Sequence, residues 1–292
     1  MGVIESALEK LRRNGGAAES TVIRQQAVAL ESWSSAGGGP EVVPSRVITL
    51  DRTRLRAAGY LPEVGHELRF ADYYREIKRP LIQRALAAGA PANQRLILVA
   101  SSLPAEGKTF TALNLALSIA RERDLSVLLI DADFVKAQIG RVLGVHEEPG
   151  LLDAIADPSL DIESLVIGTN IKGLDILPGG RTSGGAAELV GSGRMSEIAA
   201  RLVARNPRRL VLFDSAPLLV SSEARALNHL PGQIILVARS GVTPRRALQE
   251  AIAQLDNKKL KGLVLNNAYA TSHSHYYGYP VPVGRGPGGD MV

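Results

Sequence analysis

The feature that most constrains this chain is an alternation, from Gln94 to Asn267, of short apolar runs with segments of helical periodicity. The runs "QRLILVAS", "SVLLIDAD", "GLDILPGG", "RRLVLFDSAP", "QIILVARS" and "LKGLVLNN" have the length and composition of buried strands. Between them, "GKTFTALNLALSIARER", "GLLDAIAD", "RMSEIAARLVAR", "SSEARALNHL" and "PRRALQEAIAQLD" read as helices. Strands joined through helices of this length need right-handed crossovers. The implied fold class is therefore α/β, a doubly wound, mostly parallel sheet covered on both faces. Ligands of such sheets bind where the strands end.

One strand-to-helix junction has the chemistry for a ligand. In "SSLPAEGKTF" the residues Gly107, Lys108 and Thr109 fit the end of the GxxxxGK[ST] pattern, with Ser102 in place of its first glycine. A phosphate needs backbone N–H groups curled round its oxygens at a helix N-terminus, where the helix dipole adds positive potential. The stretch Ser102, Pro104, Ala105, Glu106, Gly107, Lys108, Thr109 and Phe110 is the expected nucleotide-binding loop. Lys108 would reach the outer phosphates, and the Thr109 hydroxyl would hold Mg²⁺. Carboxylates end two other strands of the sheet, Asp131 and Asp133 in "VLLIDAD" and Asp214 in "LVLFDSAP". Any one of them alone reads equally well as a helix cap. Together with Lys108 on one sheet edge, they are better explained by Mg²⁺ and a phosphoryl site.

The chain has 292 residues, no cysteine and a net charge of +5. The missing cysteines exclude disulfides, thiolate nucleophiles and cysteine-ligated zinc. The apolar runs fall far short of the roughly 20 residues that cross a bilayer, and the N-terminus lacks a signal peptide's apolar stretch, so a cytoplasmic protein is expected. Lys and Arg are scattered among Asp and Glu, which reads as a mixed solvated surface with no nucleic acid expected.

Four segments follow. Residues 1–16 read as an amphipathic helix with Ile4, Leu8 and Leu11 on one face; 17–66, rich in Gly, Ser, Pro and Arg with a weak strand in "SRVITL", read as a flexible arm. The body is expected over 67–270, opening on the helix "ADYYREIKRPLIQRAL", which Pro80 is expected to kink or restart. Residues 271–292 are too poor in aliphatic side chains to repay the entropy of ordering. Burial therefore does not explain why Tyr276, Tyr277 and Tyr279 gather there, with Tyr269 just before them.

Taken together, "SSLPAEGKT", the strand ending "IDAD", the strand ending "FDSAP" and the tyrosine-rich tail resemble the bacterial protein-tyrosine kinases of polysaccharide export. The likeness runs from about Leu68 to the C-terminus. "MGVIESALEKLRRN" and "YREIKRPLI" look especially like the autokinases of exosortase A loci. The resemblance implies a P-loop NTPase fold of the partition and cell-division ATPase-like class, with ATP and Mg²⁺ as cofactors. By position, Lys108 and Thr109 would hold phosphates and metal. Asp131 or Asp133 would accept the proton of the attacking tyrosine while the other orders Mg²⁺, and Asp214 would hold a metal-bound water. The sequence leaves the choice of base open. Asn266 is a candidate for the adenine edge, with a structural turn role as the alternative. Tyr276, Tyr277, Tyr279 and Tyr269 would be phosphoacceptors, in trans between neighbouring copies. A homo-oligomer, a ring being possible, a membrane chain-length determinant as activator, a protein-tyrosine phosphatase and a peripheral position at the inner membrane are likewise implied.

There are departures from the family pattern. Ala105 stands where many members have Gly, and the subunit-contact motif ExxRxxR is matched by Asp72, Arg75 and Lys78, whose lysine lacks the fork of arginine. Two other functions compete. A partition or cell-division ATPase would carry a signature lysine at the position of Leu103, and a nucleotide switch without kinase activity would keep Lys108 but form no phosphotyrosine.

Overall fold

The structure is a computed structural model that describes residues 44, 46–181 and 185–268. The helix expected over 1–16, most of the arm, the tail and Tyr269, Tyr276, Tyr277 and Tyr279 lie outside the described residues.

The apolar runs form the strands of one eight-stranded sheet. In chain order the strands are β1 (Val47–Ile48), β2 (Leu96–Ser101), β3 (Ser126–Ala132), β4 (Ile167–Thr169), β5 (Leu174–Leu177), β6 (Arg209–Ser215), β7 (Gln233–Arg239) and β8 (Leu260–Asn266). Their spatial order is β1-β4-β5-β3-β6-β2-β7-β8. Every neighbouring pair is parallel except β4 with β5, which is antiparallel. The chain leaves β2 for β3 on one side and later passes from β6 to β7 on the other, so the sheet's switch point lies around β2.

Helices cover both faces. Among the described residues they are α1 (Arg52–Ala57), α2 (Glu67–Ala85), α3 (Lys108–Ile119), α4 (Gln138–Leu143), α5 (Leu151–Ala156), α6 (Ala186–Val190), α7 (Gly193–Arg205), α8 (Ser222–Leu227) and α9 (Arg245–Ala253). Because side chains alternate along a strand, each central strand feeds two cores. On one face Leu98, Ala100, Leu128, Ile130, Val211 and Phe213 pack with α7 and α8. On the other, Ile97, Val99, Val127, Leu129, Leu210 and Leu212 pack with α2 and α3. The same alternation carries Asp131 and Asp214 to the α3 face, two residues beyond Leu129 and Leu212.

Two expectations need correction. Residues 46–66 were expected at the end of a flexible arm, yet β1 pairs with β4, and Leu50, Leu55 and Leu61 are 3%, 2% and 5% exposed in the α3-side core. Sparse leucines in a Gly/Ser/Arg-rich stretch carry no period, but three of them suffice to dock it. The second concerns Pro80, where of the two alternatives only the restart is overturned. Helix α2 runs from Glu67 to Ala85 with Pro80 inside it and does not restart there. Tyr74, Lys78, Leu81 and Ala85 form its buried stripe, whose packing outweighs the one helix bond that proline removes.

Candidate functional site

Strand β2 ends at Ser101 and helix α3 begins at Lys108, so Ser102–Gly107 forms the loop at the switch point. Its backbone is tightly wound. Gly107 has φ +94, and a Cβ there would lie 1.8 Å from Asn266 Nδ2, so only glycine fits. Ala105 also takes a left-handed conformation, φ +63, which is strained for a residue with a Cβ. The Glu106 side chain, 2% exposed, braces this geometry by accepting from Leu103 N (2.9 Å) and from Thr243 Oγ1 (2.6 Å). Asn266 Nδ2 donates to the Glu106 carbonyl (3.0 Å). The ends of β7 and β8 thus hold the loop in shape from behind, leaving Pro104 and Ala105 exposed toward any ligand.

The sequence-derived carboxylates meet Lys108 at this point. Asp131 and Asp214 are directly opposite one another in the β3–β6 ladder, and Val99 of β2 is opposite Asp214 on the other side. Neighbouring strands lie about 4.8 Å apart, so the two carboxyls share one small volume. Asp131, Asp133 and Asp214 are each 1% exposed or less. Lys108 Nζ contacts Asp133 Oδ2 at 3.0 Å. Asp133 Oδ1 also accepts from Lys136 N (3.2 Å), and Asp131 accepts from Gly140 N (2.8 Å) and, at 3.3 Å, from Asp133 N. By contrast, both oxygens of Asp214 are buried without a hydrogen-bond partner of normal geometry.

Burial dominates the electrostatics. It raises the Asp214 carboxyl to about 7, with Lys108 opposing, Asp131 adding to the rise, and the Thr109 hydroxyl giving a small relief. Burial likewise lifts Asp131 to about 6, against the two backbone N–H groups that favour its anion. For Lys108, burial alone works against the ammonium, but Asp214, Asp133 and Asp131 outweigh it and raise the pKa. A site with more buried carboxylate than cation, one carboxylate of it unpartnered, is short of positive charge. Among the described residues no three acidic or histidine side chains form a metal cage. Mg²⁺ needs no such cage, since it keeps several waters and takes only one or two protein carboxylates beside substrate phosphates. Thr109 and Asp214, with Asp131 or Asp133, are the residues that could hold such an ion.

Other expected residues fall elsewhere. The Ser102 side chain is buried at the end of β2 with its hydroxyl unpaired, and Phe110 packs edge-on against Phe70 of α2 at 5.9 Å. Asp72 and Arg75 form an exposed ion pair on α2 (2.6 Å). Lys78 does not join them: it is 6% exposed, donates to the Ser118 carbonyl (2.7 Å) and pairs with Glu122 (2.7 Å) within the same chain. Helical residues advance about 100° each, so three-residue spacing carries position 78 round to the buried stripe. Position 78 is therefore engaged within the chain, while Asp72 and Arg75 stand exposed.

Sequence reasoning missed the braces Thr243 and Gly140, and it missed Tyr60. The Tyr60 hydroxyl donates to Gln138 Oε1 (2.7 Å) at the start of α4, and its carbonyl accepts from Asn114 Nδ2 (2.8 Å) on α3. Its ionisation is suppressed by burial and then by the field of Asp214, with Lys108 opposing and Asp131 adding. Nothing in the composition around Tyr60 marks it.

No family model matches the chain. Among curated proteins it is similar to the tyrosine-protein kinase YwqD of Bacillus subtilis, 32% identical over 192 residues, which cover 65% of this chain and 79% of YwqD. It is also similar to the tyrosine-protein kinase Wzc of Salmonella typhimurium, 30% identical over 191 residues, 64% of this chain but 26% of Wzc. Of solved structures, the kinase domain of VpsO superposes with a TM-score of 0.58 at 28% identity, covering 71% of this chain and all of that domain.

Proposed function

The chain belongs to the bacterial tyrosine-protein kinases, and from that premise we propose that it passes the γ-phosphate of ATP to its own C-terminal tyrosines on neighbouring copies. The observation that carries the reading is one sheet edge where Lys108, on its left-handed loop, meets three buried aspartates, one without a partner. Mg²⁺, when bound there, supplies positive charge against the phosphates. The chain's own groups do the rest. Loop N–H groups and Lys108 orient the outer phosphates, which requires Lys108 to exchange Asp133 for a phosphate oxygen. We assign proton acceptance from the incoming tyrosine hydroxyl to Asp131. Among the described residues no side-chain cation lies within bonding distance of it, and burial makes it a better base than an ordinary carboxylate. Free tyrosine titrates near 10, so a carboxylate accepts that proton as the O–P bond forms and not beforehand.

Tyr276, Tyr277 and Tyr279 are the favoured acceptors and Tyr269 the secondary one, since a Gly- and Pro-containing segment can thread into another copy's site. The setting would be exopolysaccharide export, at the cytoplasmic face of the inner membrane, with a membrane chain-length protein as activator and a protein-tyrosine phosphatase to reverse the modification. No described helix is long and apolar enough to cross a membrane. Incubation of the purified chain with ATP and Mg²⁺ should give phosphotyrosine that maps to the tail and disappears in Lys108→Met. Absence of signal, even with the membrane partner present, would sink the proposal.

A further inference from the structure

A strained turn leads from Asp133 into α4. Ala137, the residue before the helix, has φ +43, and its N–H is drawn onto the Asp133 carbonyl at 2.6 Å. No side chain caps α4. Yet this short helix has a demanding task, because its Gly140 N–H is the firmest hydrogen bond to Asp131, at 2.8 Å against 3.3 Å from Asp133 N. Gly140 is also pressed close to the backbone of His146, where a Cβ would stand 3.0 Å from His146 Cα. A left-handed alanine is held only where surrounding contacts over-determine it.

A contact from outside the turn, besides Lys108 on Asp133, comes from Tyr60, which grips Gln138, the residue following Ala137. Tyr60 is itself fixed. Its N–H donates to the Leu55 carbonyl (2.9 Å), its carbonyl is bound by Asn114 of α3, and Leu55 and Leu61 on either side are in the core. Asn114 also binds the Phe110 carbonyl (2.8 Å), in the first turn of the helix that begins at Lys108. Tyr60 therefore spans the helix that carries Lys108 and the helix that orients Asp131. We propose that Tyr60 is a positioning residue for phosphoryl transfer, acting through Gln138 and the Gly140 N–H to set the Asp131 carboxylate.

This rests on the kinase reading above. The test is a double-mutant cycle on the full chain with Tyr60→Phe, Gln138→Leu and the pair, plus Gln138→Glu, which keeps an acceptor for the hydroxyl. Turnover, KM for ATP, thermal midpoint and the map of phosphotyrosines are measured. Tyr60→Phe and Gln138→Leu are each expected to lower kcat roughly tenfold, below the hundredfold that about 1 Å of misplacement costs, with KM for ATP little changed. The pair should be no worse than either single variant, and Gln138→Glu should retain most of the wild-type kcat. A wild-type kcat in Tyr60→Phe overturns the inference. So do losses that multiply in the pair, a change confined to KM, or phosphate found on Tyr60 itself, which would make it an acceptor and not a brace. An inactive wild-type chain overturns the kinase reading and the inference with it.

Discussion

At the scale of single residues, this site is built from groups that are unstable where they stand. Asp214 is fully buried and, among the described residues, neither oxygen has a hydrogen-bond partner of normal geometry, with only slight relief from the Thr109 hydroxyl, which is costly for an anion. Its carboxyl titrates near 7 when folded, far above the ordinary 3.8, so the folded chain binds the extra proton between those values. The stability that goes with that proton is complete below the ordinary value and is lost as the pH rises through 7. Asp214→Asn should therefore abolish phosphotyrosine formation while stabilising the ligand-free chain at pH 8 by on the order of 1–2 kcal/mol, with the gain fading toward pH 5. Equal midpoints for variant and wild type at both pH values would show that the charge is not strained. Ala105 offers a second case. Glycine at φ +63 relieves a conformation that costs alanine about 1 kcal/mol, so Ala105→Gly should raise the thermal midpoint by about 2–4 °C. A lower midpoint would mean that Glu106 and Asn266 fit the loop to alanine.

At the scale of elements, the central strands and the phosphate loop were legible because each has a short-range signature. "LILVAS" and "LVLFDS" are apolar throughout, and Gly107-Lys108-Thr109 has a fixed order at a strand-to-helix junction. The three-residue β4 and the six-residue helices α1 and α4 had none and are set by what they pack against, whereas α5 and α8, equally short, lie in segments with a readable helical pattern. Tyr60 was invisible for the same reason, its role depending on α3 and α4 arriving beside it. The burial of Lys78 was not read from the motif match, although its position 4 after Tyr74 and 3 before Leu81 puts it in the stripe. Lys78→Ala should cost about 1–2 kcal/mol in denaturant unfolding, as a buried donor to Ser118 and Glu122 is lost. Arg75→Ala, on the exposed side, should stay within about 0.5 kcal/mol. Equal costs would contradict the division of α2 into a docked and a free face.

At the scale of the whole molecule, the packed body begins before the helix "ADYYREIKRPLIQRAL" on which the sequence reading opened it. A chain starting at residue 67 loses Leu50, Leu55 and Leu61 from the core together with Tyr60. Each buried leucine contributes about 2–5 kcal/mol, so that chain should melt well below one starting at residue 44, by more than about 10 °C. Closely matched midpoints would return the segment to the status of an arm. If the tail is the substrate, each phosphate adds about −1.5 to −2 charges, which three buried aspartates at the site repel. Phosphorylation should then loosen an oligomer held by tails; an unchanged sedimentation coefficient before and after would count against it. Finally, the pairing of Asp131 with Asp214 across β3 and β6 makes the spacing of the two carboxylates a property of the backbone lattice. That spacing comes in steps of about 4.8 Å across strands and 3.3 Å along them, and a one-residue slip turns a side chain to the far face. Mutation can exchange the groups at this edge, but it cannot slide them by fractions. Lineages that share the ladder inherit one ruler, and a single-residue deletion within either strand removes the catalyst outright.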